Sequence, residues 1–332
     1  MRARGRLIAP LALALALIAA CGESGSSGTG GGDKGDGAAA GKACAPVAGD
    51  QLVVLEDDKH LQNADNVIPA VNARTAQAQP AILPALNAVS AALTTDELVD
   101  LNAAVDVERK SPVDVAAAWV DDNGVAKGLA RGSGAITVGA ADFSEGVILA
   151  NIYADVLKAA GFTATVAEPA SRNLYLKALE AGEQIQVVPE YLATVTEFLD
   201  ADDARQVASG DVQKTLAALQ PLAGAAGLTF GKPSEAADQN AFAVTKKLAD
   251  RLDVSTLSEL ADACDDGSLV LGGPPECPTR PYCQLGLQKT YGLEFGGFTA
   301  LDAGGPLTKA AVEKGEVSIG LVFSSDGALA KQ

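Results

Sequence analysis

From Ala135 onward the chain alternates short β-rich runs with amphipathic segments, and this alternation restricts its fold more than any other feature. Ile136 to Gly139 predicts a strand. The next segment carries Ile148, Leu149, Ile152, Tyr153, Val156 and Leu157 at helical spacing and stops at Gly161, so a helix is expected there. Thr163 to Ala167 predicts a second strand, Arg172 to Ala181 a short helix and Gln184 to Val188 a third strand. Further on, Thr256 and Glu259 form a capping box ahead of a helix, and Ser268 to Gly272 predicts a buried strand. Strand and helix in turn imply an α/β fold with a parallel or mixed sheet covered on both faces.

The N-terminal block is organised differently. Leu52 to Leu55 predicts a strand, Ile82 to Leu93 a helix, and Thr94 with Glu97 the cap of another. Ser111 then Pro112 opens a last helix that carries Trp119 and ends near Gly124. Between the two blocks, Gly124 to Gly134 holds four glycines in eleven residues and two basic side chains. It reads as a linker rather than a packed element.

At the start, Arg2, Arg4 and Arg6 precede an apolar run from Leu7 to Ala20 and then Cys21. About 14 apolar residues are too few to span a bilayer comfortably, which fits an export signal. Ile18-Ala-Ala-Cys21 is the pattern a lipoprotein signal peptidase needs. Residues 1–20 are therefore expected to be a lipoprotein signal peptide, with Cys21 lipidated and the body held on the extracytoplasmic face of the cell membrane. Residues 21–49 are assigned to the lipidated cysteine and a flexible spacer. Gly22 to Gly41 is glycine, serine, alanine and a few charges, and about 20 such residues span on the order of 25 Å. Gly37 to Lys42 resembles a phosphate loop only faintly, because Asp36 and Ala43 stand where a glycine and a hydroxyl residue belong.

The formal net charge of −17 becomes more negative once the leader's arginines are removed. So acidic a surface argues against nucleic acid and against a polybasic membrane contact. Hydrophobic content of 48% is ample for a core, and the body of about 285 residues suits two lobes. Of five cysteines, Cys21 goes to lipid and four remain for two disulfides. Cys277 and Cys283 can close a small loop around two prolines, and Cys44 and Cys264 would then pair; all three connectivities stay open at this level. A single histidine, His60, and no Cys-x-x-Cys argue against a metal site, and His60 is expected at the surface. With no Gly-x-Ser-x-Gly and no His-Glu-x-x-His, no catalytic residues and no cofactor are implied.

Several runs together resemble the osmoprotectant-binding proteins of ABC importers, the glycine betaine and choline group. They are Ile136-Thr-Val-Gly139, Asp142-Phe-Ser-Glu145, Pro189-Glu-Tyr191, Gly273-Pro-Pro-Glu276 with Arg280, Tyr291-Gly-Leu293 and Ser325-Asp-Gly327. Leu52-Val-Val-Leu-Glu-Asp-Asp58, Asn66-Val-Ile-Pro69 and Leu101-Asn-Ala-Ala-Val-Asp106 resemble that group as well. The resemblance implies a type II periplasmic-binding-protein fold with a ligand cleft between two lobes. It also implies a monomer that delivers a small solute to a membrane permease.

The order of the segments departs from the family, in which the block like Leu52 to Asn123 comes last. The chain thus resembles a circularly permuted member, with Gly124 to Gly134 joining the family's old ends and Asp50 and Gln332 as neighbouring new ends. Lobe I is then expected over 63–237, and lobe II over 50–62 plus 238–332, with two strands crossing between them.

In this family an aromatic box holds a quaternary ammonium head. By resemblance, Tyr191 matches one wall of that box, Asn240 stands where a second tyrosine is usual, and Lys309 stands at a fourth position. Tyr175 and Tyr282 could rebuild the missing walls. Ser144 and Glu145 open a helix, whose free N–H groups favour a polar or anionic ligand end. Arg172 and Asn173 open the next. Arg280 is expected to grip a carboxylate, and Ser325 and Asp326 match the family's loop before a crossing segment. Lys309 and the depleted box leave open a different small zwitterion or anion, such as an amino acid derivative. A ligand-sensing lipoprotein that imports nothing would use the same fold.

Overall fold

The computed structural model describes residues 43–200 and 206–329. The expected signal peptide, Cys21 and the spacer as far as Lys42 lie outside the described residues.

Among the described residues ten strands form two five-stranded sheets. They are β1 (Leu52–Leu55), β2 (Val67–Asn72), β3 (Ala135–Val138), β4 (Thr163–Val166), β5 (Val187–Tyr191), β6 (Leu228–Phe230), β7 (Asn240–Thr245), β8 (Leu269–Gly273), β9 (Phe295–Ala300) and β10 (Ile319–Phe323). One sheet has the order β4-β3-β5-β2-β6 and the other β1-β7-β10-β8-β9. Both are mixed. β3 lies parallel to β4 and β5 whereas β2 runs antiparallel to β5 and β6; β8 lies parallel to β9 and β10 whereas β7 runs antiparallel to β1 and β10. This is the mixed two-lobed α/β architecture of a type II periplasmic-binding protein.

The helix Ser144–Ala159 organises the first lobe. Ile148, Leu149, Ile152, Tyr153, Val156 and Leu157, the stripe read from the sequence, are all fully buried. They pack with Leu86, Leu98 and Trp119 from neighbouring helices and Val71 and Val138 from the sheet. Each such side chain contributes about 1.5–3 kcal/mol on leaving water. Thr94 Oγ1 accepts from Glu97 N, and Thr256 and Glu259 cap reciprocally, as their spacing predicts.

Three expectations need correction. β5 was expected to end before Pro189, yet it runs on to Tyr191. The reason is that β3 meets β5 only at Val138–Val187, so beyond that point β5 has a strand on one side only. Pro189 faces Pro69 across the β2–β5 pair. Neither ring can donate a hydrogen bond, so the two prolines occupy a non-bonded pair and cost the ladder nothing. Second, residues 43–49 belong to the packed body rather than to a flexible spacer. Cys44 is fully buried and bonded to Cys264, Gly49 N donates to Glu313 O, and Thr245 Oγ1 donates to Val47 O. Third, the glycine-rich 124–134 segment is partly packed. Val125 is buried in the first lobe's core, and Ala126 and Leu129 lie against it.

The second disulfide joins Cys277 and Cys283, so both expected pairs form. His60 is exposed. Among the described residues no helix is long and apolar enough to cross a membrane, and no group of three or more His, Cys, Asp or Glu side chains could hold a metal ion.

The chain passes between the lobes in segments that run side by side. Asn66 bridges Ala237, and Asp238 N donates to Asp65 O. A third segment lies along them: Ser324 N donates to Gln239 O, and Ser324 Oγ to Ala237 O. Its continuation, Gly327–Leu329, rests on the helix Thr95–Asn102 of the first lobe. A Cβ at Gly327 would stand 2.2 Å from Ala103 N, so only glycine permits that approach.

Candidate functional site

Two cavities open between the lobes and share Asp238 and Phe323 in their walls. The larger is about 550 Å³. Phe143, Ser144, Glu145 and Asn102 line it from the first lobe, and Lys309, Phe323, Ser325 and Asp326 from the second. The smaller, about 390 Å³, is lined by Asp65 and Thr194 on one side and by Asn240 and Tyr282 on the other.

Glu145 sits in the first turn of Ser144–Ala159 and is 4% exposed. Tyr191, at the end of β5, donates its hydroxyl to Glu145 Oε1, and Asn102 Nδ2 donates to Oε2 at 2.6 Å. Asn102 Nδ2 also donates to Ser325 O at 2.8 Å, which ties the first lobe to the C-terminal segment. Ser325 Oγ donates in turn to Asp238 Oδ1 at 3.0 Å. Burial, with the Asp238 charge added, pushes the Glu145 carboxyl up to about 7. Burial likewise raises Asp238. Asp65 is pushed up to about 6 by burial, although Thr194 N and Oγ1 both donate to it. The floor between the lobes is therefore a set of buried and half-buried carboxylates bonded to neutral donors.

Two rings face this floor. Phe143 is 44% exposed, with its centroid 6.1 Å from that of Tyr191, and Phe323 is 36% exposed on the opposing lobe.

The expected residues divide into three groups. Ser144, Glu145, Ser325 and Asp326 line the larger cavity, and Asn240 and Tyr282 the smaller. Asn240 Nδ2 donates to Tyr282 O at 3.4 Å, and Tyr282 Oη accepts from Asn63 Nδ2 at 3.2 Å. Tyr191 is buried behind Phe143, its hydroxyl spent on Glu145. The third group lies away from both cavities. Tyr175 donates its hydroxyl to Glu190 at 2.7 Å, and Arg172 Nε pairs with the same carboxylate at 3.2 Å, so these two form a buried structural network. Asn173 and Arg280 are exposed and line neither cavity.

Asn102, Phe143, Asp238 and Phe323 were not singled out in the sequence. Asn102 and Phe143 lie inside runs quoted above, Leu101-Asn-Ala-Ala-Val-Asp106 and Asp142-Phe-Ser-Glu145. An aromatic directly before a helix start is the signal the sequence offers for Phe143.

A family model described as the substrate binding domain of the ABC-type glycine betaine transport system matches residues 45–122 and 134–332. Among solved structures, one titled "Crystal structure of glycine betaine/carnitine/choline ABC transporter" is 18% identical, with a TM-score of 0.40, over 57% of this chain and 68% of that one. No curated protein matches the chain.

Proposed function

Because this chain belongs to the family of substrate-binding domains of ABC-type glycine betaine transport systems, we propose that it captures a small quaternary amine between its lobes and hands it to a membrane permease. The observation that carries this reading is the pair Phe143 and Phe323, which line one cavity from opposite lobes together with the buried carboxylate of Glu145. Ring faces attract a cation that cannot donate hydrogen bonds, at about 0.5–2 kcal/mol each. Closing the lobes on such a head covers both rings.

An unpaired Lys309, together with the depleted aromatic box, would favour an anionic ligand. Its ammonium is paired with Asp326, so it offers no free charge to a carboxylate. On this reading Tyr282 and Asn240 form the outer wall of the cleft, and the Cys277–Cys283 loop holds Tyr282 in place.

The same proposal includes the lipid on Cys21, the extracytoplasmic location and a monomeric receptor. It also includes circular permutation, with lobe I at 63–237 and lobe II at 50–62 plus 238–332. Two observations support the permuted order. The family match falls in two pieces that part at the glycine-rich joint. Leu329, near one end, packs against the buried cluster that contains Leu52, near the other.

The test is thermal unfolding against glycine betaine, choline, carnitine and proline betaine at about 1 mM. A ligand present at 100 times its dissociation constant adds about 2.7 kcal/mol, which shifts the curve upward by several degrees. Failure of every quaternary amine to shift it would sink the reading.

A further inference from the structure

We propose that Glu145 and Asp238 serve as the ligand's counter-ion, so that this cleft selects a cation without a carboxylate and exchanges it against a proton. The inference rests on the reading above and narrows its substrate class.

Its basis is an imbalance inside the larger cavity. Glu145 faces Tyr191 from β5, Asn102 from the helix Thr95–Asn102, Ser325 from the C-terminal segment and Asp238 from a crossing segment. All three bonds to these two carboxylates come from neutral donors, and the two acids repel each other. Lys309 is the cation in the wall, and Asp326 occupies it at 2.5 Å. Asp106 adds a further acid at the margin. The cavity thus holds more carboxylate than positive charge, with aromatic rings beside it.

An independent sign is Asn102 Oδ1, which is buried and has no partner, although the Nδ2 of the same amide makes two bonds. Turning the amide over would set its oxygen against Glu145 and Ser325 O. An acceptor left over beside two carboxylates means that the pocket lacks donors and positive charge, and has acceptors to spare. A ligand carboxylate would bring yet another acceptor into it. A cation supplies what is missing, and as it arrives it favours the ionised form of Glu145, which the empty cleft disfavours. Entry of the ligand therefore expels a proton. At lower pH the proton holds the same position and competes with the cation.

The experiment is calorimetry on the full chain with choline and with glycine betaine at pH 7.5 and 5.5, each in two buffers of different ionisation enthalpy. Choline is expected to bind at least about tenfold more tightly than glycine betaine at pH 7.5, to release a fraction of a proton, and to weaken at pH 5.5. Glu145→Gln keeps the shape, still accepts from Asn102 and can donate to the Tyr191 hydroxyl in place of accepting from it, but removes the charge, so it should narrow the preference about tenfold and abolish the proton release. Asp238→Asn provides the same comparison should the first variant fold poorly. Equal or tighter binding of glycine betaine would overturn the inference and leave the family function standing. Binding of neither compound would remove both.

Discussion

Lys309 Nζ meets Asp326 Oδ2 at 2.5 Å in the wall of the cleft, with both side chains largely out of solvent. This contact turns the one basic group of the larger cavity into a structural element. Breaking a buried pair from one side leaves an uncompensated charge. Lys309→Met should therefore cost about 2–4 kcal/mol in urea unfolding. The double variant Lys309→Met with Asp326→Leu should recover most of that loss.

The pH dependence of the empty protein has a definite sign. Glu145 and Asp65 are raised to about 7 and about 6, and Asp238 is raised too, so the folded state holds protons that the unfolded chain gives up. Stability from these groups is complete below the usual carboxylate range near pH 4 and is lost as pH rises through 6 to 7. The melting temperature of the unliganded protein should fall between pH 5 and 8. Glu145→Gln should flatten the decline.

The two disulfides should differ in worth. Cys44–Cys264 closes a separation of 220 residues and Cys277–Cys283 one of 6. Loop-closure entropy assigns roughly 5 kcal/mol to the first and about 2 to the second. Replacing Cys44 and Cys264 by serine should lower the urea midpoint more than replacing Cys277 and Cys283. The latter change should act mainly on ligand affinity, because Tyr282 lies within that loop.

Gly286 presents a steric test of the same loop. A Cβ there would lie 1.9 Å from Pro281 O. Gly286→Ala must displace the backbone beside Tyr282, and is expected to weaken ligand binding at least about tenfold and cost about 2 kcal/mol or more. Gly224→Ala, where a Cβ meets nothing within 4 Å, is the matched control.

Much of the framework is legible in the sequence because its signals are local. The buried stripe of Ser144–Ala159 repeats at helical spacing, and the caps at Thr94 and Thr256 lie three residues from their partners. The sequence ends β5 too early because Pro189 acts as a strand breaker only where both sides of the strand are paired. The site is less legible. Glu145 could be placed at a helix start, a position that favours anions, whereas its actual surroundings are set by Asp238 and Ser325 from distant parts of the chain. Tyr175 and Arg172 looked available because Glu190, which occupies both, is brought to them by strand β5. Phe323 ends a strand of buried residues, and its exposure follows only from where that strand stops.

The lacing of the crossing segments has a mechanical meaning. Asn66 and Ala237 are bridged, Asp238 is bonded to Asp65, and Ser324 is bonded to both Ala237 and Gln239. Segments tied to one another in this way are coupled, so a backbone change in one is passed to the other two. Asp65 and Asp238 lie in these segments, with their carboxylates held by Thr194 and Ser325. A change of charge on either carboxyl is therefore felt by the stretches of chain that join the lobes, and not by one lobe alone.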